Sequence, residues 1–368
     1  MNQYLSERRP LSWKTGILMS LPVILMVWGP VVALASFSQK VRSAPSVHRG
    51  ETKRSPLSFS PSIQTLVLTK NGVIYAGSFG MGIFRSKDEG QTWETMNAGL
   101  TDPFLLCLAV DRKGRVYAGT VMGGVFRLSQ GHTQWKLINH GLKRAEVRSL
   151  LVIDGRLYAG TGRGVYQWLE SRGQWKRVAR ALDQLLVYSL AMLNDRILLA
   201  ATAGKGLFQF DIHGSDSAEW ENVSSAFQDS KERLTHRYLR IVAVNPAHHI
   251  FLGTQDGGLF RSLDGGGSWH TLSHSLPNDS IRGIVLHETG IFVGTGHGIY
   301  TMQEGDRRWR AVNTGLRELS IQTLIISSHG VLYAGTSAGV FRSRDSGSHW
   351  ENVSGGLGTF TKNPQPYR

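Results

Sequence analysis

The chain has 368 residues with 43 Gly, 10 Trp, one Cys and only 18% charged side chains, which excludes a disordered chain and a coiled coil. Of its formal net charge of +14, +6 sits on residues 1–15 and 38–61 and +8 on residues 62–368. The larger part is thus only moderately basic and carries no stripe of Lys and Arg interleaved with aromatics, so nucleic acid is not an expected partner.

Residues 1–15 form a basic region with Arg8, Arg9 and Lys14, and an uncharged run follows from Gly16 to Gln39. Its apolar part, Ile17 to Phe37, is 21 residues long, enough to span a bilayer core as a helix. Residues 16–37 therefore read as a transmembrane anchor. Ala33-Leu34-Ala35 also reads as a small-residue cleavage site, so a signal peptide is the competing reading. The run is longer than the roughly 7–15 apolar residues of a signal core, which favours the anchor. Either way the bulk of the chain is expected on the extracytoplasmic side: on a single-pass membrane protein, or secreted or periplasmic after cleavage near Ala35. Residues 38–61, rich in Ser, Pro and basic side chains, read as an extended linker.

From residue 62 the chain repeats. Seven segments share one pattern: Tyr75-Ala76-Gly77-Ser78, Tyr117-Ala118-Gly119-Thr120, Tyr158-Ala159-Gly160-Thr161, Leu199-Ala200-Ala201-Thr202, Phe251-Leu252-Gly253-Thr254, Phe292-Val293-Gly294-Thr295 and Tyr333-Ala334-Gly335-Thr336. Each is followed by a Gly before an apolar and an aromatic residue, from Gly82-Ile83-Phe84 to Gly339-Val340-Phe341, and then by a Trp at 93, 135, 175, 220, 269, 309 and 350. In the first unit the pattern predicts four short strands, Thr65 to Leu68, Val73 to Gly77, Gly82 to Arg85 and Thr92 to Met96, joined by Gly-, Asn- and Asp-rich turns. Four strands in a unit of about 40 residues make a propeller blade. The expectation is an all-β, seven-bladed propeller over 62–357, with a tail at 358–368. Each unit begins and ends in the same strand phase, so closure of the ring by an exchanged strand is not evident. Pro56 to Pro61 or the tail after Leu357 is left to supply it. Cys107, in an apolar strand-like run, reads as a buried small hydrophobe.

Three units carry a fuller signature before the Trp: Ser86-Lys87-Asp88-Glu89-Gly90-Gln91-Thr92-Trp93, Ser262-Leu263-Asp264-Gly265-Gly266-Gly267-Ser268-Trp269 and Ser343-Arg344-Asp345-Ser346-Gly347-Ser348-His349-Trp350. This resembles the Asp-box, or bacterial neuraminidase, repeat S-x-D-x-G-x-x-W. The resemblance covers about 80% of the chain. Propellers of that kind include sialidases, xyloglucan-cleaving glycosidases, sortilin-type receptor domains and the photosystem II stability and assembly factor. The resemblance therefore implies a fold more than a function. It also places these boxes on outer hairpins, where Asp88, Asp264 and Asp345 serve the turn and Trp93, Trp269 and Trp350 the packing. The other four units keep the Trp and lose the Asp.

Aligning the innermost strands puts Gln64, Arg148, Tyr188, Arg240, Arg282 and Gln322 at equivalent positions, ringing the axial channel near one mouth, with Leu105 as the apolar exception. Three guanidiniums there would attract an anion or an acidic protein segment. A glycosidase needs two carboxyls flanking the scissile bond, and no acidic pair at that mouth has a spacing fixed by the sequence. The arginine-isoleucine-proline signature of sialidases has no counterpart near the first blade. No His or Cys cluster has metal-ligand spacing, so no metal or cofactor is expected, and no catalytic residue is assigned. Gly335 to Gly339 fits G-x-S-x-G but lies in a turn shared by the other units, with no helix after it. Ser224 to Arg237 is an extended, charged loop after the fourth unit, of the kind that carries binding on a propeller face. The reading is a membrane-tethered binding or assembly module for a protein or acidic ligand. A glycoside hydrolase on the same fold is the alternative.

Overall fold

A computed structural model describes residues 60–142, 146–215, 217–224, 238–277, 280–303 and 305–358. The expected anchor, the linker up to residue 59, most of the Ser224–Arg237 loop and the tail from residue 359 lie outside the described residues. Among the described residues no helix is long and apolar enough to cross a membrane.

All regular structure among the described residues is strand, in seven four-stranded antiparallel sheets. In the first blade the strands are Ile63–Leu68, Ile74–Ser78, Ile83–Ser86 and Glu94–Thr95. The innermost strand thus starts two residues before the expected Thr65, and the outermost is only two residues long. An edge strand that short offers little unpaired backbone to another chain. The inner strands of blades 2 to 7 are Leu105–Val110, Val147–Ile153, Val187–Met192, Leu239–Val244, Ile281–His287 and Ile321–Ile326. Each packs on the next, and the last packs on the first, so the seven enclose the axis.

The core lies between blades, in seven clusters that each draw on two neighbours. Tyr75, Ile83 and Met96 of blade 1 meet Phe126 and Trp135 of blade 2, for instance, and Tyr333 and Val340 of blade 7 meet Ile63 and Trp93 of blade 1. A single blade has two apolar faces and nothing to cover them, and the radial stack covers both.

The repeated residues each have a physical reason. The motif Gly sits where neighbouring inner strands approach most closely: a Cβ on Gly253 would lie 2.6 Å from both Ile241 and Ile281, and one on Gly119 2.5 Å from the Cys107 sulfur. The Ser or Thr after it is fully buried and donates its hydroxyl proton across the turn, as from Thr202 to the Gly206 carbonyl at 2.7 Å. The Gly that accepts has positive φ in every blade, from 76° at Gly258 to 112° at Gly298. The Trp reaches the preceding blade: the indole N–H of Trp135 donates to the Met96 carbonyl (2.6 Å), that of Trp309 to Leu272 (2.6 Å) and that of Trp350 to Val312 (2.8 Å). Trp220 in blade 4 departs from this; it is buried, yet its N–H has no acceptor among the described residues.

Closure uses the same contacts. Every blade consists of four consecutive strands, so no strand is exchanged among the described residues. The Trp93 indole donates to the Val353 carbonyl of blade 7 at 2.7 Å, and Arg342 donates to the Glu89 carbonyl at 2.7 Å. Leu357 packs into the same cluster.

The three Ser-x-Asp turns are self-contained hydrogen-bond units. Asp88 Oδ1 accepts from the Ser86 hydroxyl (2.8 Å) and the Thr92 N–H (2.9 Å), and Oδ2 accepts from the Thr92 hydroxyl (2.6 Å). Asp264 repeats this with Ser262 and Ser268. These bonds, with that from the residue-92 or residue-268 hydroxyl the largest, hold both carboxyls down at about 2. Asp345 is also lowered, chiefly by the His349 N–H, but His349 supplies no hydroxyl. A side-chain partner that sequence reading missed lies four residues beyond most of the Trp residues. The side-chain oxygens of Asn97, Asn139, Asn313, Ser273 and Ser354 each accept the N–H that follows the positive-φ Gly.

Candidate binding site at the channel mouth

Each inner strand carries one β-bulge, at the same place in all seven blades. In blade 1, Ile63 pairs with Ser78 and Thr65 with Gly77, so Gln64 is left out of the ladder. The same skip leaves out Leu106, Arg148, Tyr188, Arg240, Arg282 and Gln322. A bulge adds a residue that the partner strand does not match, and so re-aims its side chain. All seven are half-buried, flanked by a fully buried residue such as Ile63, Val147 or Ile281.

Six of these are the residues that the strand alignment selects. The apolar member is corrected: Leu105 pairs with Thr120 and is fully buried in the cluster between blades 1 and 2, whereas Leu106 occupies the bulge. Leu105 is the counterpart of Ile63, so the alignment was one residue out of register there.

The ring is chemically lopsided. The Arg148 guanidinium lies 5.1 Å from the centroid of the Tyr188 ring and is paired with Glu146. Arg282 donates to the Ser320 hydroxyl at 3.1 Å, which also accepts from the Gln322 amide at 3.1 Å. Arg240 reaches the Ser280 hydroxyl at 3.5 Å. Burial, and then the charges of Arg282 and Arg148, press the Arg240 pKa down; Tyr188 opposes them. Burial does the same to Arg282. Neither Arg240 nor Arg282 has a carboxylate within ion-pair distance among the described residues. The Nε atoms of Arg148 and Arg282 are buried without a hydrogen-bond partner among the described residues. Gln64 is turned to its own strand, donating to the Ser62 hydroxyl at 2.9 Å.

Several described carboxylates around this mouth are engaged in structure, while Asp256, in a turn at the same end of blade 5, is exposed. Asp102 is buried and accepts from the N–H groups of Phe104, Met122 and Gly123 at 3.1, 2.7 and 2.8 Å. Glu318 accepts from the Ser320 N–H at 2.7 Å, and Asp183 faces Arg177 at 2.8 Å. Among the described residues no three His, Cys, Asp or Glu side chains converge as a metal would require. Cys107 is buried, its thiol pushed up to about 12 by burial.

Sequence reading missed the rim above the ring. Phe104 and Tyr238 occupy the position two residues before the bulge, where the backbone carbonyl accepts from the residue that follows the second strand. Both are exposed. The signal that could have found them is their place in the sequence, since Tyr238 stands two residues before Arg240 as Ser62 does before Gln64 and Glu146 before Arg148, and Phe104 joins them once blade 2 is in register.

No family model matches the chain, and no curated protein matches it. Solved structures do. The extracellular domain of a protein described as a hybrid two-component system from B. thetaiotaomicron superposes with a TM-score of 0.64 at 17% identity, over 77% of this chain and 39% of that one. The WD40 propeller domain of Doa1 gives 0.58 at 16% identity, over 79% and 96%. The computationally designed protein Ika8 gives 0.54 at 13% identity, over 82% and 90%. The chain spans about two fifths of the length of the first of these. At such identities the likeness is one of fold, and with the seven sheets it makes the described strands, from Ile63 to Asn352, a seven-bladed β-propeller.

Proposed function

We propose that this propeller is a binding or assembly module, held to the cell membrane by residues 16–37 on its extracytoplasmic side, that takes an anionic group of a protein or other acidic ligand at the arginine-bearing mouth. We read its Ser-x-Asp turns as Asp-box repeats. The observation that carries the proposal is that Arg240 and Arg282 sit half-buried beside a third guanidinium with no carboxylate partner among the described residues. Partly desolvated like charges raise the free energy of the empty site, and a bound anion would offset that cost. Oxygen-rich anions suit guanidinium forks.

The alternative, a glycoside hydrolase, requires two carboxyls free to act roughly 5–9.5 Å apart. Asp102 is instead spent on three backbone N–H groups and Glu146 on Arg148, which favours the binder. The test is capture from native membranes with the purified protein and with an Arg148→Gln/Arg240→Gln/Arg282→Gln variant. A partner retained by the first and lost by the second is expected. A partner held equally by both would sink the assignment of the mouth. Cleavage of a glycan panel by the native protein would favour the hydrolase.

A further inference from the structure

Of the seven large hydrophobic side chains that are exposed among the described residues, Phe79, Phe104, Met122, Tyr238 and Leu319 lie on the face that bears the arginine mouth. Their positions fix this. Phe79 and Met122 sit in turns between second and third strands, and Phe104, Tyr238 and Leu319 in segments entering inner strands, all at the bulged end of the blades.

Three of the five form one patch on blades 1 and 2. The Phe79 and Phe104 rings meet edge to face at 5.0 Å, and their backbones form an isolated bridge. The Phe104 carbonyl accepts from the Val121 N–H, next to Met122, which is 69% exposed. Gly80, with φ of 102°, lies under the Phe104 ring, and a Cβ there would be 3.3 Å from it. Two residues further along the same strand Leu106 carries the apolar surface into the channel, next in the ring to Arg148. The mouth thus carries an aromatic and aliphatic cluster on blades 1 and 2 and its guanidiniums on blades 3, 5 and 6, while Tyr188, Tyr238 and Leu319 stand as single side chains on blades 4, 5 and 7.

Resting on the reading of the mouth as a binding surface, we infer that its occupant is a protein segment in which a carboxylate lies within a few residues of an aromatic or branched apolar side chain. The carboxylate goes to Arg240 and Arg282, and the apolar side chain covers Phe79 and Phe104. Charge complementarity selects the acid, and the continuity of Leu106 with the arginine ring puts both features within reach of one ligand. A small anion would leave the aromatic pair in water. An apolar surface alone would leave the guanidiniums desolvated and unpaired.

The probe is a displayed library of random 12-residue peptides, selected on the purified full chain. Binding of enriched peptides is then measured by fluorescence anisotropy against Phe79→Ala/Phe104→Ala and Arg240→Gln/Arg282→Gln, with circular dichroism melts to show that both variants fold. The expected peptides pair Asp, Glu or the C-terminal carboxylate with Phe, Trp or Leu, and each double variant weakens them about tenfold or more. Purely acidic peptides that lose affinity only with the arginine variant would overturn this inference and leave the anion-binding proposal standing. Binding untouched by either variant would overturn both. Binding to anionic phospholipid vesicles that depends on Phe79 and Phe104, without any peptide doing so, would replace the protein segment with a membrane surface.

Discussion

The outer wall of this propeller and the ring of residues around its axis share one sevenfold backbone, yet they use it in opposite ways. On the wall the same side chain recurs because the same bond must be made: Trp135, Trp309 and Trp350 each give an indole proton to the blade before. On the ring the bulge recurs in every blade, but its occupants are Gln, Leu, Arg, Tyr, Arg, Arg and Gln. Uniform residues mark what holds blades together. Positions whose backbone is uniform and whose side chains are not are released from that duty, and there a ligand can be selected.

The contrast is most easily broken at the wall. Trp350→Ala removes a fully buried indole from between blades 6 and 7 and should cost about 3–5 kcal/mol in denaturant unfolding. Substitution of Arg240 by Gln should cost nothing or raise stability, because it removes a cation pressed by burial and by Arg282. Comparable losses at both sites would erase the distinction. Gly253→Val comes next: its Cβ lands 2.6 Å from Ile241 and Ile281, both on inner strands that cannot retreat, for a loss of about 1–3 kcal/mol. Blade 4, with Ala201 at this position, already shows that one methyl fits where the local spacing allows.

A finer comparison lies within the wall. Trp350→Phe breaks an interblade hydrogen bond and leaves the Val312 carbonyl without its donor, at about 1 kcal/mol beyond the lost ring volume. Trp220→Phe breaks none among the described residues and removes a buried N–H that has no acceptor there, so it should be the milder of the two by that amount. Equal effects in thermal unfolding would mean that the indole bonds contribute little.

The smallest effect is electrostatic. With folded-state pKa near 2, below the usual carboxylate value, Asp88 and Asp264 contribute stability that is present above about pH 4 and lost as pH falls through about 2. The slope of stability against pH between 4 and 2 should therefore flatten in Asp88→Asn/Asp264→Asn. Thr92→Val, which removes the hydroxyl, should move Asp88 toward the behaviour of Asp345, whose turn has His349 at that place.

The fold was legible because seven copies of one pattern average out local ambiguity, and because Gly, Trp and buried hydroxyls are each demanded by a bond or a close approach. The ring was legible for six residues since they follow an aligned apolar residue. It failed at Leu105 because Phe104-Leu105-Leu106-Cys107-Leu108 is apolar throughout, and no polar residue betrays which way a side chain faces. The aromatic rim escaped because Phe79 and Phe104 are 25 residues apart and meet only across a blade boundary. That Arg240 and Arg282 have no carboxylate partner among the described residues escaped too, since it depends on where acids such as Asp102 turn their oxygens.

The most direct test of the arginine mouth is the melting temperature of the native protein and of Arg240→Gln/Arg282→Gln, as citrate is titrated in at constant ionic strength. A ligand at ten times its Kd adds about 1.4 kcal/mol to the folded state, a few degrees for a domain of this size. The account predicts that citrate raises the native melting temperature, and that the variant, starting as high or higher, does not respond. An equal rise in both, or none in the native protein, would contradict it.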